Sequence, residues 1–505
     1  MCSSEKKSGF VIFDDIWFNN LSEDEVNDFI DANKFNILPE SGYIKINLNG
    51  RDEHVHKQVL VHALSDPNKP THSEIFKYYM GPQTMVLNGS NRIDLIKDQA
   101  GGDLQQPPKT SFQKLFHNDL LREQYRNLIF KGLGSYPVID PTKLGSLRLR
   151  LSSISPSSPA VERSLSEDSI AFFAAAQLMA DASDGAKAFA GILSEILTGD
   201  PKILLMDEPE AFLHPALAFK LGYEIAQSLI GTNKQMFVST HSAQFLMGCI
   251  QAGVPINVVR LTYHKGNATA RLLPSDQIVR LMRNPLLRSV GVISALFYEN
   301  VVVTEGDPDR AFYQEINERL LQHGRGIPNC IFLNAQNKQT IPTIVIPLRS
   351  LGIPAASIYD IDFLKCKNTE ATKLMDAAGV PQMLREGMSN TRNKIDKLLS
   401  DKSEKYSRNG GIKLISGDNL DAANTYFDQL ENYGTFLVRN GELESWLENL
   451  GVKGHGPKWL IPVFEKMGED PTQPDYVKPG NDDVWLFIDR VADWLTNPHR
   501  KGIPQ

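Results

Sequence analysis

Three short runs of the chain are continuously apolar, or nearly so, and each stops on carboxylates. Ile203-Leu204-Leu205-Met206 ends at Asp207-Glu208-Pro209, Val301-Val302-Val303 at Thr304-Glu305-Gly306, and Ser357-Ile358-Tyr359 at Asp360-Ile361-Asp362. An apolar run this short, with polar punctuation on both sides, is the pattern of a parallel strand buried on both faces. Helical periodicity fills the intervals, near Ala216–Leu229 and Arg310–Leu321. Strands alternating with helices give an α/β fold with parallel sheets. The C-terminal ends of parallel strands share one edge, and ligands bind along that edge. The carboxylates therefore stand where a binding or catalytic site is expected.

At 505 residues the chain exceeds one compact core, so two or three domains are expected. A net charge of −7 excludes a uniformly basic nucleic-acid coat but leaves room for a local basic groove. The longest apolar runs are too short to span a bilayer, and Met-Cys-Ser-Ser-Glu-Lys-Lys at the N-terminus has no apolar signal core. Nor does any motif make Met1-Cys2 a lipidation site. The four cysteines, Cys2, Cys249, Cys330 and Cys366, form no Cys-x-x-Cys pair, which argues against a zinc knuckle or a disulfide framework. A soluble protein of the reducing cytoplasm is expected.

Residues 9–150 read as mixed α/β, with β-rich runs at Tyr43–Leu48 and Thr84–Leu87, and Ser152–Ser158 reads as a loop. Helical, Ala-rich sequence follows from Ser166 to Leu197, interrupted at Ser183-Asp184-Gly185. Four apolar residues ahead of Asp207-Glu208 form a Walker B pattern. Asp207 is placed to hold a nucleotide's magnesium, and Glu208 to orient or deprotonate the attacking water. His241, closing the next strand at Met236–Ser239, sits where a γ-phosphate sensor belongs. The plainer alternative is that these are ordinary polar residues at strand ends.

The string Asp207-Glu208-Pro209-Glu210-Ala211-Phe212-Leu213-His214-Pro215, followed by Ser239-Thr240-His241-Ser242, resembles the ABC-type ATPase heads of the OLD (overcoming lysogenization defect) family and related SMC-like proteins. The resemblance implies ATP as cofactor, Asp207 as the Walker B acid, Glu208 as the catalytic glutamate and His241 as the switch histidine. Ser183 and Gly185 stand where the family keeps its signature motif, in a form that departs from the usual Ser-Gly-Gly. In the family that loop contacts the γ-phosphate held by a partner subunit, which implies a homodimer or higher homo-oligomer. No Gly-x-x-x-x-Gly-Lys-[Ser/Thr] occurs in the 505 residues; the nearest turn, Asn88-Gly89-Ser90-Asn91, has no Lys. Such a loop supplies most of the phosphate grip, so weak ATP binding by this chain is expected. Either the segment carrying it precedes this sequence or the head is degenerate, and the intact later motifs favour the first.

In the second half, Glu305-Gly306-Asp307-Pro308-Asp309 and Asp360-Ile361-Asp362 each close a strand. Asp360 and Asp362 are two apart, so an extended backbone would point both to one face. Carboxylates gathered at one edge repel unless cations neutralise them, and all-oxygen ligands select Mg²⁺ or Mn²⁺ over zinc. Two such ions ~4 Å apart would activate a water and stabilise a leaving 3′ oxygen in phosphodiester cleavage. Helix N-capping is the plainer role for such acids. The combination at this spacing resembles the TOPRIM domain shared by topoisomerases, primases and OLD nucleases. The resemblance makes Glu305, Asp309, Asp360 and Asp362 metal ligands and catalytic residues. Asn440-Gly441-Glu442-Leu443-Glu444 resembles the late acidic motif that completes a second metal site in OLD-type domains; Glu444 is preferred to Glu442, since Leu443 and Leu447 would face the core. A Lys near the scissile phosphate is also implied, with Lys458 and Lys466 as candidates and Lys458 taken first.

The expected architecture is an ABC-type ATPase domain (1–290, without a P-loop) followed by a Rossmann-like TOPRIM nuclease domain (291–505) with a helical insert near 366–430. Arg92, Arg148, Arg150 and Arg260 are candidates for a nucleic-acid surface, although Arg148 and Arg150 alternate as on an ordinary exposed strand face. The tryptophans Trp17, Trp446, Trp459, Trp485 and Trp494 lack interleaved basic residues and read as core or interface packing. The leading expectation is a metal-dependent DNA endonuclease coupled to, or regulated by, an ATPase module. From the family it takes a role in bacterial anti-phage defence or DNA maintenance and a second defence-system protein as partner. The alternative is a non-catalytic DNA-sensing scaffold. A topoisomerase would need a nucleophilic Tyr in its own domain, a primase a zinc module, and neither signature is present.

Overall fold

A computed structural model describes residues 24, 27–28, 36–37, 42–48, 51–59, 61, 84–89, 91–199, 201–264, 267–283 and 291–503. Met1, Cys2, Trp17 and Ser90 lie outside them. The chain divides between Val254 and Pro255 into two compact units.

In the first unit, β1 (Tyr43–Leu48) and β2 (Arg51–His56) pair antiparallel. The central sheet is parallel and three-stranded, with β6 (Ile203–Asp207) between β3 (Thr84–Leu87) and β7 (Gln235–Ser239). The antiparallel hairpin β4 (Tyr136–Asp140) and β5 (Ser146–Ser152) forms separately. Strand β6 is not buried on both faces as its composition predicts. Leu204 and Met206 are buried, whereas Leu205 is half-buried and lies in register between Val86 and the exposed Phe237. A continuous apolar run cannot by itself tell one covered face from two.

Helices α1 (Ser111–His117), α2 (Asp119–Leu133) and α3 (Pro159–Arg163) precede α4 (Glu167–Ala175), which is followed by α5 (Asp184–Thr198), so the interruption read at 183–185 is a helix start. Ser183 caps α5 by accepting from the Ala186 N–H at 3.3 Å. Gly185 is buried against the Phe212 carbonyl, which a Cβ would approach to 2.5 Å, so only glycine fits there unshifted. Helices α6 (Pro215–Ser228) and α7 (Ala243–Gln251) follow β6 and β7, capped by His214 and Ser242.

The second unit opens with the antiparallel hairpin β8 (Val258–His264) and β9 (Asn267–Leu273). Arg260 ties this hairpin into its own unit by donating to the carbonyls of Leu296 and Tyr298 at 3.1 and 2.7 Å. It does not project as a nucleic-acid contact. The expected domain boundary at 290/291 falls inside this unit.

The main sheet is parallel throughout, in the order β11 (Cys330–Asn334), β10 (Asn300–Thr304), β12 (Ala355–Asp360), β13 (Thr435–Val438). Every residue of β10 and β13 is buried, and all of β12 except Asp360, as strands covered on both faces require. Helices α8 (Asp307–Gln322) and α9 (Ile341–Ser350) connect the first three strands. The helical insertion separates β12 from β13 and comprises α10 (Asn368–Ala377), α11 (Gln382–Lys402) and α12 (Asp418–Glu431).

Helices α13 (Pro457–Met467) and α14 (Asp483–Thr496) complete a core that includes Val302, Phe312, Trp446, Trp459 and Phe487. Trp446, Trp459, Trp485 and Trp494 are all buried, in agreement with a packing role. The Trp446 indole N–H donates to the Tyr313 hydroxyl at 3.0 Å, satisfying a buried donor. Among the described residues no helix is long and apolar enough to cross a membrane.

Candidate active site

Strands β6 and β7 end side by side, with Asp207 opposite Ser239, whose hydroxyl donates to Asp207 Oδ1 at 2.5 Å. Glu208 sits in the left-handed backbone region at φ 45°, a conformation that costs energy in a non-glycine residue. Arg92 holds it there. The guanidinium is buried and donates to the backbone carbonyls of both Asp207 and Glu208. Burial pushes the Arg92 pKa down, while the charges of Glu210, Asp207 and Glu208 oppose that shift. Arg92 is therefore an internal clamp on the turn at Asp207-Glu208, which excludes it from an open nucleic-acid surface. His241 Nε2 lies 3.2 Å from Glu208 Oε1, so the expected catalytic glutamate and switch histidine do meet. Glu210 joins the same edge by accepting from the Thr240 hydroxyl at 2.6 Å and the His241 N–H at 3.1 Å.

Arg148 and Arg150 do share a strand face, but both reach the fully buried Asp140 Oδ2 across the hairpin, at 2.8 and 2.5 Å. Two guanidiniums on one buried carboxylate are structural, and neither an exposed face nor a nucleic-acid contact fits them.

Each strand of the second unit's main sheet delivers a polar group to one edge. β10 delivers Glu305, β12 Asp360 and then Asp362, and β13 Glu442 and Glu444; β11 leads through a short loop to Lys338. Glu305 Oε1 accepts from the Asp360 N–H at 3.1 Å, joining the two central strand ends. Asp309 lies in the first turn of α8 and accepts from the Gly306 N–H at 3.1 Å, so it also performs the helix-capping role its position allows. Asp362 is not on an extended backbone. β12 stops at Asp360, and Ile361–Lys365 forms a 3₁₀ turn because Ile361, Phe363 and Leu364 all turn into the core. Arg392, buried on α11, fixes that turn by donating to the carbonyls of Leu364 and Cys366. Asp362 Oδ2 receives the Lys338 ammonium at 2.8 Å, while its buried Oδ1 has no hydrogen-bond partner among the described residues.

The charges strain against one another. The Glu305 carboxyl is pushed up to about 8, first by burial and then by Asp362, with the Asp360 N–H and Lys338 opposing. Asp309 is raised to about 6, again by burial first; Glu444 adds to the shift, and N–H donors and His455 counter it. Asp360 is raised well above the carboxylate range by burial and then by Glu305, Asp309 and Asp362. Carboxylates this buried and mutually repelling accept protons or cations. The unpaired Oδ1 of Asp362 and the all-oxygen donor set fit a hard divalent ion.

Glu442 and Glu444 flank Leu443, which is buried, and Leu447 is buried as expected. Glu444 Oε1 accepts from the Gly456 N–H at 2.7 Å and lies 2.7 Å from His455 Nδ1. Glu442 Oε1 accepts from the Ser407 hydroxyl at 2.9 Å, and Arg408 approaches its Oε2 to 3.2 Å. Lys458 is exposed in the first turn of α13, whereas Lys466 spends its ammonium on the Leu450 carbonyl at 2.6 Å. Lys338, His455 and Arg392 escaped sequence reading. Lys338 follows Gln336, whose backbone is left-handed at φ 69°, in a loop without periodicity. His455 lies among glycines, and Arg392 resembles any charged residue of an exposed helix.

Comparison with known proteins agrees with this division. Residues 4–247 match the family model described as AAA domain, putative AbiEii toxin, Type IV TA system. Residues 296–362 match the TOPRIM domain of overcoming lysogenization defect protein-like proteins, a span that includes Glu305, Asp309, Asp360 and Asp362 and stops before Glu444. The class is thus an ATPase-like α/β unit ahead of a TOPRIM unit. That order is the architecture of the OLD family, and this chain has it. No curated protein matches the chain. A solved SMC head bound to the C-terminal winged-helix domain of ScpA is 14% identical, with a TM-score of 0.28, over 46% of this chain and 64% of that one, so the chain spans less than two thirds of it. A structure from work on ATP-driven dimerisation of SMC ATPases is 14% identical, with a TM-score of 0.23, over 34% of this chain and 94% of that one.

Proposed function

We propose that the chain is a divalent-metal-dependent DNA endonuclease, with phosphodiester cleavage in its TOPRIM unit and regulation or coupling through its ATPase-like unit. The observation that carries this reading is the gathering of Glu305, Asp309, Asp360 and Asp362 at one sheet edge, where burial and mutual repulsion raise the carboxyls of Glu305, Asp309 and Asp360. Unused, such a cluster would only destabilise the fold. Glu305, Asp360 and Asp362 would hold one Mg²⁺ or Mn²⁺, and Asp309 with Glu444 a second. When bound, the two ions supply the charge that activates water and steadies the leaving oxygen.

The chain's own groups do the rest. The Asp360 N–H orients Glu305, the Gly306 N–H orients Asp309, and the Gly456 N–H orients Glu444. Lys338 neutralises Asp362 and thereby limits repulsion before a cation arrives. Lys458, exposed and three residues beyond His455, is the better placed lysine for a scissile phosphate, since Lys466 is committed to a carbonyl. In the first unit, Asp207, Glu208 and His241 would meet ATP, with Ser183 and Gly185 facing a nucleotide on a second copy. A homodimer acting on DNA in the cytoplasm, in anti-phage defence or DNA maintenance and with a second defence-system protein, completes the proposal.

Supercoiled plasmid incubated with the full chain and Mg²⁺ or Mn²⁺, with and without ATP, tests it. Metal-dependent nicking lost in Glu305→Gln is expected. Nicking that survives the substitution would remove the site assignment, and no nicking under any condition would favour the DNA-sensing scaffold.

A further inference from the structure

Beside the four carboxylates lies a set that differs from them in kind. Glu442, Glu444 and His455 bring one ligand atom each to within 4.8 Å of one another. His455 Nδ1 is 2.7 Å from Glu444 Oε1 and 3.8 Å from Glu442 Oε2. Ligand atoms around one ion with bonds of roughly 2.0–2.2 Å lie roughly 3–4.5 Å apart. Closing this set on a cation therefore needs only small side-chain shifts.

Glu442 is held at Oε1 by the Ser407 hydroxyl with Oε2 toward His455, and Glu444 Oε1, which faces His455, also accepts from the Gly456 N–H, the kind of support that positions metal ligands. Their side chains are 15% and 18% exposed, whereas His455 is 66% exposed and free to swing onto an ion. An open pocket of about 310 Å³ lies over the three, bordered also by Ser407, Asn440 and Gly454, so an ion and its waters have access. Arg408 is the competing cation at Glu442, but it is 62% exposed and can withdraw. The set shares Glu444 with the second ion position of the proposed cleavage site, and Asp309 of that position feels the charges of both Glu444 and His455.

We propose that His455 makes the Glu442–Glu444 position a mixed nitrogen–oxygen metal site that takes a transition ion, Mn²⁺ or Zn²⁺, in preference to Mg²⁺. The physical reason is ligand softness. Imidazole favours later first-row ions, whereas carboxylates and water suit Mg²⁺ equally well. The Glu305–Asp360–Asp362 position offers oxygen alone, so the edge would carry two positions of unlike preference. This inference rests on the proposed nuclease reading for its catalytic meaning, but the binding claim stands separately.

Pulsed EPR of Mn²⁺ added to the full metal-free chain tests it, because a coordinated imidazole imprints ¹⁴N modulation on the Mn²⁺ signal. Modulation is expected in the natural protein and in Glu305→Gln, and its loss in His455→Gln. Titration should show Mn²⁺ affinity at this position falling in His455→Gln by at least the 10–100-fold that loss of a mere supporting partner costs, with Mg²⁺ affinity changing less. No ¹⁴N modulation in the natural protein, or modulation that persists in His455→Gln, would overturn the proposal. Because His455 is exposed, the substitution leaves the core intact. The two proposals fail separately. Nicking of plasmid without ¹⁴N modulation would leave the nuclease standing and remove the mixed site, whereas modulation without nicking would do the reverse.

Discussion

Glu305→Gln should make the metal-free second unit more stable at neutral pH than the natural protein, and nearly equal to it at pH 5. In the unfolded chain this carboxyl loses its proton near 4.5; in the folded chain it keeps the proton until about 8, chiefly because burial disfavours the charge. Between those values the folded state binds more protons than the unfolded state, so its stability falls as pH rises. The loss begins near the unfolded value and is complete above the folded one. At about 1.36 kcal/mol for each pH step, the interval from 4.5 to 7 amounts to about 3 kcal/mol at pH 7 and under about 1 kcal/mol at pH 5. Glutamine has no proton to lose and keeps a carbonyl oxygen for the Asp360 N–H. Asp309 and Asp360 are raised as well, and the Glu305 charge is one cause of the Asp360 shift, so the difference between the two curves reports Glu305 together with the relief of Asp360, which acts in the same direction. Urea denaturation in chelator at pH 5, 6, 7 and 8, followed by tryptophan fluorescence, provides the measurement, since Trp446, Trp459, Trp485 and Trp494 are all buried in this unit. The variant's advantage should grow steadily with pH. An advantage that stays constant from pH 5 to 8 would refute the argument, because it would mean the carboxyl titrates alike in both states.

Lys338→Met removes the cation that Asp362 holds at 2.8 Å, and should lower the metal-free urea midpoint at pH 8 by about 1–3 kcal/mol of stability. Added Mg²⁺ should restore more of the variant's stability than of the natural protein's; an unchanged midpoint would mean the pair contributes nothing. In the first unit, Arg92→Leu removes the donor to the carbonyls of Asp207 and Glu208 and frees a left-handed residue. Amide exchange should then quicken across 207–213 while exchange in the second unit is unaffected, and equal exchange in both proteins would show that the turn holds without its clamp.

The sequence disclosed most where geometry follows from periodicity. The strands at Val301 and Ser357 were legible because buried parallel strands need continuous apolar sequence, and their last residues then had to share an edge; the run at Ile203 marked its strand as well, although that strand is covered less fully. The limits are equally physical. Alternation placed Arg148 and Arg150 on one face, but their partner Asp140 lies across a hairpin and leaves no local mark. The two-residue spacing of Asp360 and Asp362 implied a shared face only while the chain stayed extended; the core's claim on Ile361, Phe363 and Leu364 ended the strand first. Lys338 and His455 arrive from irregular loops, where no period predicts direction. Arg392 has the composition of a solvated helix face and the surroundings of a core residue.

That last residue gives the insertion between β12 and β13 a part in the site. Arg392 on α11 reaches down to the carbonyls of Leu364 and Cys366, so the turn carrying Asp362 is fixed from the insertion. From the same insertion, the Ser407 hydroxyl holds Glu442 beyond the end of β13, with the exposed Arg408 at its other oxygen. The sheet alone fixes Glu305 and Asp360, which sit at or next to strand ends and are joined by a backbone hydrogen bond. The outer acids are one turn further from any strand and would be free to splay apart under their own repulsion. The insertion opposes that splaying at both acids, through the carbonyls of the Asp362 turn and the Ser407 hydroxyl on Glu442, while Lys338 and Arg408 offset part of their charge. The charge that is not offset stays available for a cation, which a core of fully paired acids and bases would not allow.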